Sequence, residues 1–262
     1  SWTLGRGEMS NVMGVMDVTP DSFWSGSRVQ DKATLTERVR QMISQGADAI
    51  DVGGCSTRPG AVQASADEEM ARLEWGLDAI RAEFPDVTLS VDTYRPHIAE
   101  RCVREWKVDI INDVYGGDDE MYKVVADTGA QYVLMWSETI KKDPVKEMMS
   151  FFKERLRIME KAGVNVKRKV ILDPGYGFGK TLEQNYTVLA HQAELCKLGF
   201  PVLSALSRKS MAWKLLGITP EDALAATIAM NTVAIEQGAD WIRVHDVEEA
   251  AHTVRIMQAL KD

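Results

Sequence analysis

The sequence predicts a single-domain (β/α)8 barrel of the α/β class, and three observations carry that prediction. Eight short, β-rich apolar runs alternate with longer amphipathic segments along 262 residues, and about 250 residues is typical of this fold. The runs are apolar almost throughout, as expected of parallel strands covered by helices on their outer side. No composition break or low-complexity segment divides the chain, so residues 1–262 read as one domain. A doubly wound sheet fits less well, because no GxGxxG follows the first run, and GYGFG (175–179) follows the sixth without that spacing.

The elements follow in order. The first run, NVMGVMD (11–17), ends abruptly in Asp17 and opens into VTPDSFWSGSR (18–28). DAIDVGG (48–54), VTLSVDT (87–93), DIIND (109–113) and QYVLMW (131–136) come next, then KVILDPG (169–175), PVLSAL (201–206) and DWIRVHD (240–246). Helical patterns lie between them, for example at 144–163, 181–197 and 220–237. Three approaches to a strand read alike, Gly46-Ala47-Asp48, Gly129-Ala130-Gln131 and Gly238-Ala239-Asp240. A glycine just past a helix end supplies the left-handed cap that turns the chain into the next strand. Met148-Met149 and Phe151-Phe152 are expected to pack against the barrel.

Acids outnumber Lys and Arg by 39 to 31, for a net charge of −8. That argues against general nucleic-acid binding and against an anionic membrane surface, and leaves room for a small anion held by a local basic cluster. Cys55, Cys102 and Cys196 are widely spaced and form no CxxC pair, which suggests neither a disulfide frame nor a zinc site and fits a reducing cytoplasm. SWTLGRGEMS lacks a signal-peptide pattern, and no apolar run approaches the roughly 20 residues of a membrane span.

The strand ends carry the chemistry. Asp17, Asp92, Asn112-Asp113, Asp173 and the Arg243-Val244-His245-Asp246 run all sit at or just past the C-terminal end of an apolar run, and in a barrel these ends converge on the face where active sites are built. Asp246, before Val247-Glu248-Glu249, reads first as a helix cap. Ser207-Arg208-Lys209-Ser210 places two cations at a helix N-terminus. Cations favour the other end, so an anion or an electron-rich ring is expected to compensate here. Arg243 and His245 lie two apart on a strand and share a face, which suits a phosphate clamp. GGCSTRPGA (53–61) adds Thr57 and Arg58 on a loop stiffened by Pro59, and LDPGYGFGKT (172–181) joins an acid to an aromatic-bearing loop. Buried acids with Asn112 suit a nitrogen-rich heterocycle with several N–H donors; the basic rim suits a phosphate or diphosphate.

In the order MGVMDVTPDSF, DVGGCSTRPGA, SVDTYRP, INDV, VLM, LDPGYGFGKT, LSRKS and GADWIRVHDV, from about Val12 to Val247, the chain resembles dihydropteroate synthase. The resemblance implies a transferase of folate biosynthesis that joins 6-hydroxymethyl-7,8-dihydropterin diphosphate to p-aminobenzoate. The products are 7,8-dihydropteroate and diphosphate, Mg2+ assists, and sulfonamides compete with the amine. It implies that Asp92, Asn112, Asp173 and Lys209 bind the pterin with Met135 lining the ring, and that Arg58, Arg243 and His245, beside Thr57, bind the diphosphate. Phe23, Pro59, Phe178, Lys209 and Ser210 match the p-aminobenzoate pocket, and residues 18–28 and 55–63 match two loops that close over the reactants. Asp92, Asp173 and Lys209 are the implied catalytic residues. The partners implied are these small molecules and a second copy of the chain.

Asp17 stands where the family usually carries an asparagine that contacts metal and diphosphate, and Ser25 stands where an aspartate is usual. The metal-binding charge is therefore expected to have moved from the loop to the strand end, onto Asp17, since Asp is a good Mg2+ ligand. Ala205, Trp136-Ser137, Tyr115 and Cys55 are further departures, expected to touch the pocket. Two alternatives share the strand-end acids: a pterin-dependent methyltransferase that serves a corrinoid protein, and a non-catalytic pterin binder. The methyltransferase has no need of Ser207-Arg208-Lys209-Ser210 or of the Arg243/His245 pair.

Overall fold

A computed structural model describes residues 9–18, 28–55 and 62–261. Eight parallel strands follow one another around a barrel: β1 Asn11–Asp17, β2 Ala49–Gly53, β3 Leu89–Asp92, β4 Ile110–Asp113, β5 Gln131–Met135, β6 Val170–Asp173, β7 Leu203–Ser204 and β8 Trp241–Val244. The sheet runs β6-β5-β4-β3-β2-β1-β8-β7, and a parallel bridge between Leu172 and Val202 joins its two ends. All eight expected strands are present, each within the expected run.

The helices are α1 Arg28–Gln45, α2 Ala66–Glu83, α3 Pro96–Trp106, α4 Asp119–Thr128, α5 Pro144–Lys161, α6 Val166–Lys169, α7 Leu182–Ala190, α8 Ala193–Cys196, α9 Ser210–Leu216, α10 Leu224–Glu236 and α11 Val247–Ala259. Their starts follow from local chemistry. The Ser65, Asp118 and Asp143 side chains each accept a backbone N–H from the first turn of α2, α4 and α5, and Thr181 with Gln184 forms a capping box on α7. Gly129 closes α4 in the left-handed region, as expected of its place before β5.

Two expected helices are interrupted. The 181–197 pattern divides into α7 and α8, because Gln192 between them is fully buried. Its Oε1 accepts the Tyr176 and Ser204 hydroxyls at 2.8 and 2.6 Å, and its Nε2 donates to the Ala234 carbonyl at 3.1 Å. The 220–237 pattern begins as a 3-10 turn, Pro220–Asp222, before α10.

Alternation along the strands sorts the side chains into two layers. Tyr132, Leu134 and Trp136 face outward into the core shared with the helices, where Met148, Phe151 and Phe152 of α5 also lie and Met149 packs against it. Inside the barrel, Met13, Ala49, Ile110, Val133, Ile171, Leu203, Ala205 and Trp241 form a separate apolar plug. That plug is the floor of the candidate site.

Candidate active site

On six of the strands, the residue two positions beyond a floor residue, on the same face, belongs to a second layer, or ring. Ala49 is followed by Asp51, Ile110 by Asn112, Val133 by Met135, Ile171 by Asp173, Leu203 by Ala205 and Trp241 by Arg243. Asp92 completes the ring from β3, in register with Asn112 and Gly53. On β2, β4, β6 and β8 the period of two passes from an apolar floor residue to a polar one in a single step. The expected site residues Asp92, Asn112, Met135, Asp173 and Arg243 are thereby brought together.

Asp51 belongs to this ring and was not among the expected site residues. It is fully buried and accepts Arg243 Nε at 2.7 Å and Asn112 Nδ2 at 3.1 Å. Arg243 Nη2 also reaches Asp92 Oδ2 at 3.4 Å. Burial alone would lower the guanidinium pKa, but Asp51 and Asp92 raise it on balance. The Arg243 cation is thus tied to two acids at the floor of the pocket. Asp92 is held well above the usual carboxylate range, first by burial and then by the charge of Asp51, with Arg243 opposing.

Three acceptor oxygens in this cluster, Asp51 Oδ1, Asp92 Oδ1 and Asn112 Oδ1, are buried with no hydrogen-bond partner among the described residues. A buried acceptor without a partner costs about 1–3 kcal/mol. Three on adjacent strands describe a surface made to receive N–H donors.

Opposite them, Asp173 Oδ1 accepts the Gly175 N–H at 2.8 Å. Burial raises the pKa of this acid, while that hydrogen bond, Lys209, Lys180 and Arg243 oppose the rise. Lys209 Nζ donates to the Tyr176 carbonyl at 3.0 Å and lies 4.8 Å from the Phe178 ring centroid. Burial pushes its ammonium down to about 8, against the pull of Asp173. The electron-rich ring expected beside this cation is the protein's own Phe178. Ser210 follows Lys209 as the first residue of α9.

The 174–180 loop keeps its shape through glycine. Gly175 has φ +67° and a Cβ there would lie 2.7 Å from the Trp136 carbonyl oxygen; Gly179 has φ +62° and its Cβ would meet the Glu138 carbonyl oxygen. Both positions exclude a side chain on conformation and on space.

His245 lies just past β8, and its Nδ1 pairs with Ser207 Oγ at 2.8 Å. Arg208 turns away from the pocket: it holds Asp246 through Nε at 3.0 Å and Nη2 at 3.1 Å, and its Nη1 donates to the Pro220 and Glu221 carbonyls, each at 2.9 Å. Asp246 therefore makes no side-chain cap on α11, contrary to its first reading; the guanidinium of Arg208 outcompetes the backbone N–H. Asp113 is a second correction. It faces outward, accepting the Tyr132 hydroxyl at 2.8 Å and the Tyr115 N–H at 2.9 Å, because it is one residue out of phase with Asn112. Trp136 likewise packs outward on Phe151, at 5.1 Å between centroids, and not into the pocket. Tyr115 is exposed and meets Tyr94 edge to face at 4.8 Å, both just past strand ends.

Phe23, Thr57, Arg58 and Pro59, with Ser25, lie outside the described residues. Asp17 is exposed at the end of β1. A Cβ placed on Gly53 would lie 3.6 Å from both Asp17 Oδ1 and Asp92 Oδ2, so glycine keeps a gap between two carboxylates. Among the described residues no three His, Cys, Asp or Glu side chains form a metal cage. One hard carboxylate completed by substrate oxygens is nonetheless a usual setting for Mg2+, and Asp17 fits that role.

Residues 13–245 match the model of a family described as pterin binding enzyme. A dihydropteroate synthase of Bacillus subtilis is 40% identical over 263 residues, covering 98% of this chain and 90% of the relative. One of Clostridium beijerinckii is 38% identical, covering 95% and 94%. Among solved structures, a Clostridium difficile dihydropteroate synthase, determined in the presence of pteroic acid, superposes with a TM-score of 0.92 at 36% identity, over 98% of this chain and 99% of that one. A Xanthomonas albilineans dihydropteroate synthase with 4-aminobenzoic acid gives 0.89 at 35% identity, over 97% and 94%.

Proposed function

This chain belongs to the dihydropteroate synthases, transferases of the pterin-binding enzyme family, and we propose how its residues join 6-hydroxymethyl-7,8-dihydropterin diphosphate to p-aminobenzoate. The observation that carries the proposal is the set of three buried acceptors on Asp51, Asp92 and Asn112 that have no partner among the described residues. The pterin ring offers N–H donors to that acceptor side, and Met135 lines its apolar face. Asp173, at the end of β6, and Lys209, at the start of α9, bind it from the opposite side. Diphosphate lies toward the mouth, against His245 and the Arg243 side of the pocket, with Thr57 and Arg58 supplied by the second loop.

As the carbon–oxygen bond to diphosphate breaks, positive charge develops on the pterin methylene. Asp92 and Asp173 are fixed acids beside that charge and stabilise it electrostatically. The neutral aryl amine, walled by Phe23, Pro59, Phe178 and Ser210, then attacks the carbon and loses a proton. No protein nucleophile is required. Asp17 would hold Mg2+, which when bound would neutralise charge on the leaving diphosphate.

Diphosphate release on mixing the protein with both substrates and Mg2+ tests this reading. Release that needs the amine and is lost in Lys209→Ala supports it; tight pterin binding with no release refutes catalysis while leaving the pocket. Asp17→Asn is expected to weaken Mg2+–diphosphate binding, and unchanged binding would remove Asp17 as the ligand. A Yersinia pestis dihydropteroate synthase has been solved with a sulfonamide drug, which supports competition between sulfonamides and p-aminobenzoate here.

We also propose that two copies associate. Leu215 and Leu216 of α9, Val233 of α10 and Ile256 of α11, with Leu260 beyond it, are exposed apolar residues, and sedimentation of an Ile256→Glu variant as a monomer beside a dimeric parent would support that face. Among the described residues no helix is long and apolar enough to cross a membrane; the widely spaced cysteines support a cytoplasmic setting.

A further inference from the structure

We propose that Lys180 is a positioning residue for the second substrate: from behind the 174–179 loop, its ammonium group sets where Phe178 stands and where the Gly175 N–H meets Asp173. This rests on the placement of the aromatic amine against Phe178 given above.

Lys180 ends the GYGFGK stretch and has no part in the chemistry described so far. Its Nζ donates to the Gly175 carbonyl at 2.6 Å and to the Phe178 carbonyl at 2.9 Å. The Gly175 carbonyl also accepts the Phe178 N–H at 2.9 Å, so both ends of one turn meet on a single ammonium. The other face of Gly175 donates its N–H to Asp173. Lys209 holds the same loop from the pocket side, through the Tyr176 carbonyl and over the Phe178 ring. Gly177 N–H is tied to Asn185 Oδ1 at 2.9 Å, and the Gly179 carbonyl accepts Ile140 N–H at 2.8 Å.

The charged groups that face Lys180 are Asp173 and Lys209; burial lowers its pKa to about 7, with Asp173 opposing and Lys209 adding to the fall. Burying an ammonium is unfavourable unless its donors are used, and here they are spent on the carbonyls that fix Phe178. The acceptors that face the pterin on Asp51, Asp92 and Asn112 come from other strands. Loss of Lys180 should therefore separate the two substrates: the amine site loosens while most of the pterin site stays in place.

The test uses Lys180→Met in the full chain, with three readouts. Calorimetry gives the affinity for pterin diphosphate without amine, and for p-aminobenzoate in the presence of inorganic diphosphate and Mg2+, which needs no turnover. Steady-state kinetics gives KM for each substrate. The pH profile of kcat/KM reads Asp173 through its lost neighbour. The expected result is an amine KM and Kd raised about tenfold or more, a pterin Kd changed less than about threefold, and an acid limb moved to higher pH. Lys180→Cys alkylated with 2-bromoethylamine, which rebuilds a lysine-length amine, should restore all three, with alkylated parent as the control. If Lys180→Met does not fold, Lys180→Gln, which can still donate to a carbonyl without the charge, should keep amine affinity nearer the parent's and still move the acid limb. Amine affinity unchanged in the folded variant, or pterin affinity lost to the same degree, would overturn the proposal. A parent that binds both substrates without turnover overturns only the synthase reading, and the calorimetry still decides the role of Lys180.

Discussion

Asp51→Asn puts the floor of the pocket to the test. The side chain is fully buried and its charge faces Arg243 Nε at 2.7 Å. Removing one member of a buried ion pair costs about 3–5 kcal/mol. Two features reduce that here: the new amide oxygen still accepts from the guanidinium, and Asp92 remains at 3.4 Å as a second counter-charge. A loss of about 2–3 kcal/mol is expected, in the upper part of the range for a hydrogen bond to a charged group. At about 2–4 °C per kcal/mol for a domain of this size, Tm falls by roughly 4–12 °C. The change also lifts a repulsion, because the charge of Asp51 is the second cause, after burial, that holds the Asp92 pKa high. Asp92 then ionises at lower pH, and the acid limb of pterin binding moves down. Urea unfolding, read for a shifted midpoint at constant m, gives the first quantity, and calorimetric titration of pterin diphosphate between pH 4 and 8 gives the second. Stability within about 0.5 kcal/mol of the parent, together with an unmoved acid limb, would refute the idea that Asp51 anchors Arg243 and presses on Asp92.

Two further predictions follow from groups away from that pair. Burial raises Asp113 to about 6, against the hydrogen bonds from Tyr115 and Tyr132. The folded state therefore binds a proton that the unfolded state releases near pH 4, and this contribution to stability is lost as pH rises from about 4 through about 6. Against Asp113→Asn, which does not titrate, the parent should lose about 3 kcal/mol across that window, as read by urea midpoints at each pH; a constant difference would show that folding leaves the Asp113 carboxyl unshifted. Gly179→Ala forces a Cβ onto the Glu138 carbonyl at a positive φ and should cost about 1–3 kcal/mol, with a raised KM for p-aminobenzoate because Phe178 is next in the chain; an unchanged KM would separate this turn from the amine site.

The barrel was legible because its signal is repeated: eight apolar runs of similar length carry one message, and no single run decides it. The polar ring was legible where a polar residue stood at or beside the end of its run. Asp92 and Asp173 each end a strand and stood out. Asp51 lies inside β2, with Val52 and Gly53 still to follow, so it read as part of the strand. Phase was the signal that could have found it: counting two residues on from Ala49 gives Asp51, as counting from Ile110 gives Asn112. The same count excludes Asp113, which shares a strand end with Asn112 but not a face. Arg208 and Lys209 were alike in sequence and differ in space, because Arg208 adopts a positive φ of 54° and is claimed by Asp246, 38 residues away along the chain. Pairings of that kind depend on which loops meet, and local pattern carries no record of them.

The arrangement also explains how one pocket handles opposite charges. Its floor holds Arg243 between Asp51 and Asp92, so the permanent cation there is already matched. Asp17 and Asp173 add negative charge on either side. Lys209, lowered to about 8 by burial, and Lys180, to about 7, lie on the Asp173 side and are occupied by loop carbonyls. The floor thus favours a developing cation over a bound anion, while His245, just past β8, stands one layer nearer the mouth. Separating the two by depth lets the leaving group depart outward as positive charge is held below it. It also predicts an order of strength among substitutions. Replacing Asp92 or Asp173 by Asn should lower kcat more than it raises KM, because the amide keeps an acceptor for the bound pterin and loses the charge that meets the cation developing in the transition state. Replacing His245 should act mainly on the affinity for the diphosphate-bearing substrate. Reversal of that order, measured as kcat and KM for Asp173→Asn and His245→Gln, would show that the layers have been assigned to the wrong halves of the reaction.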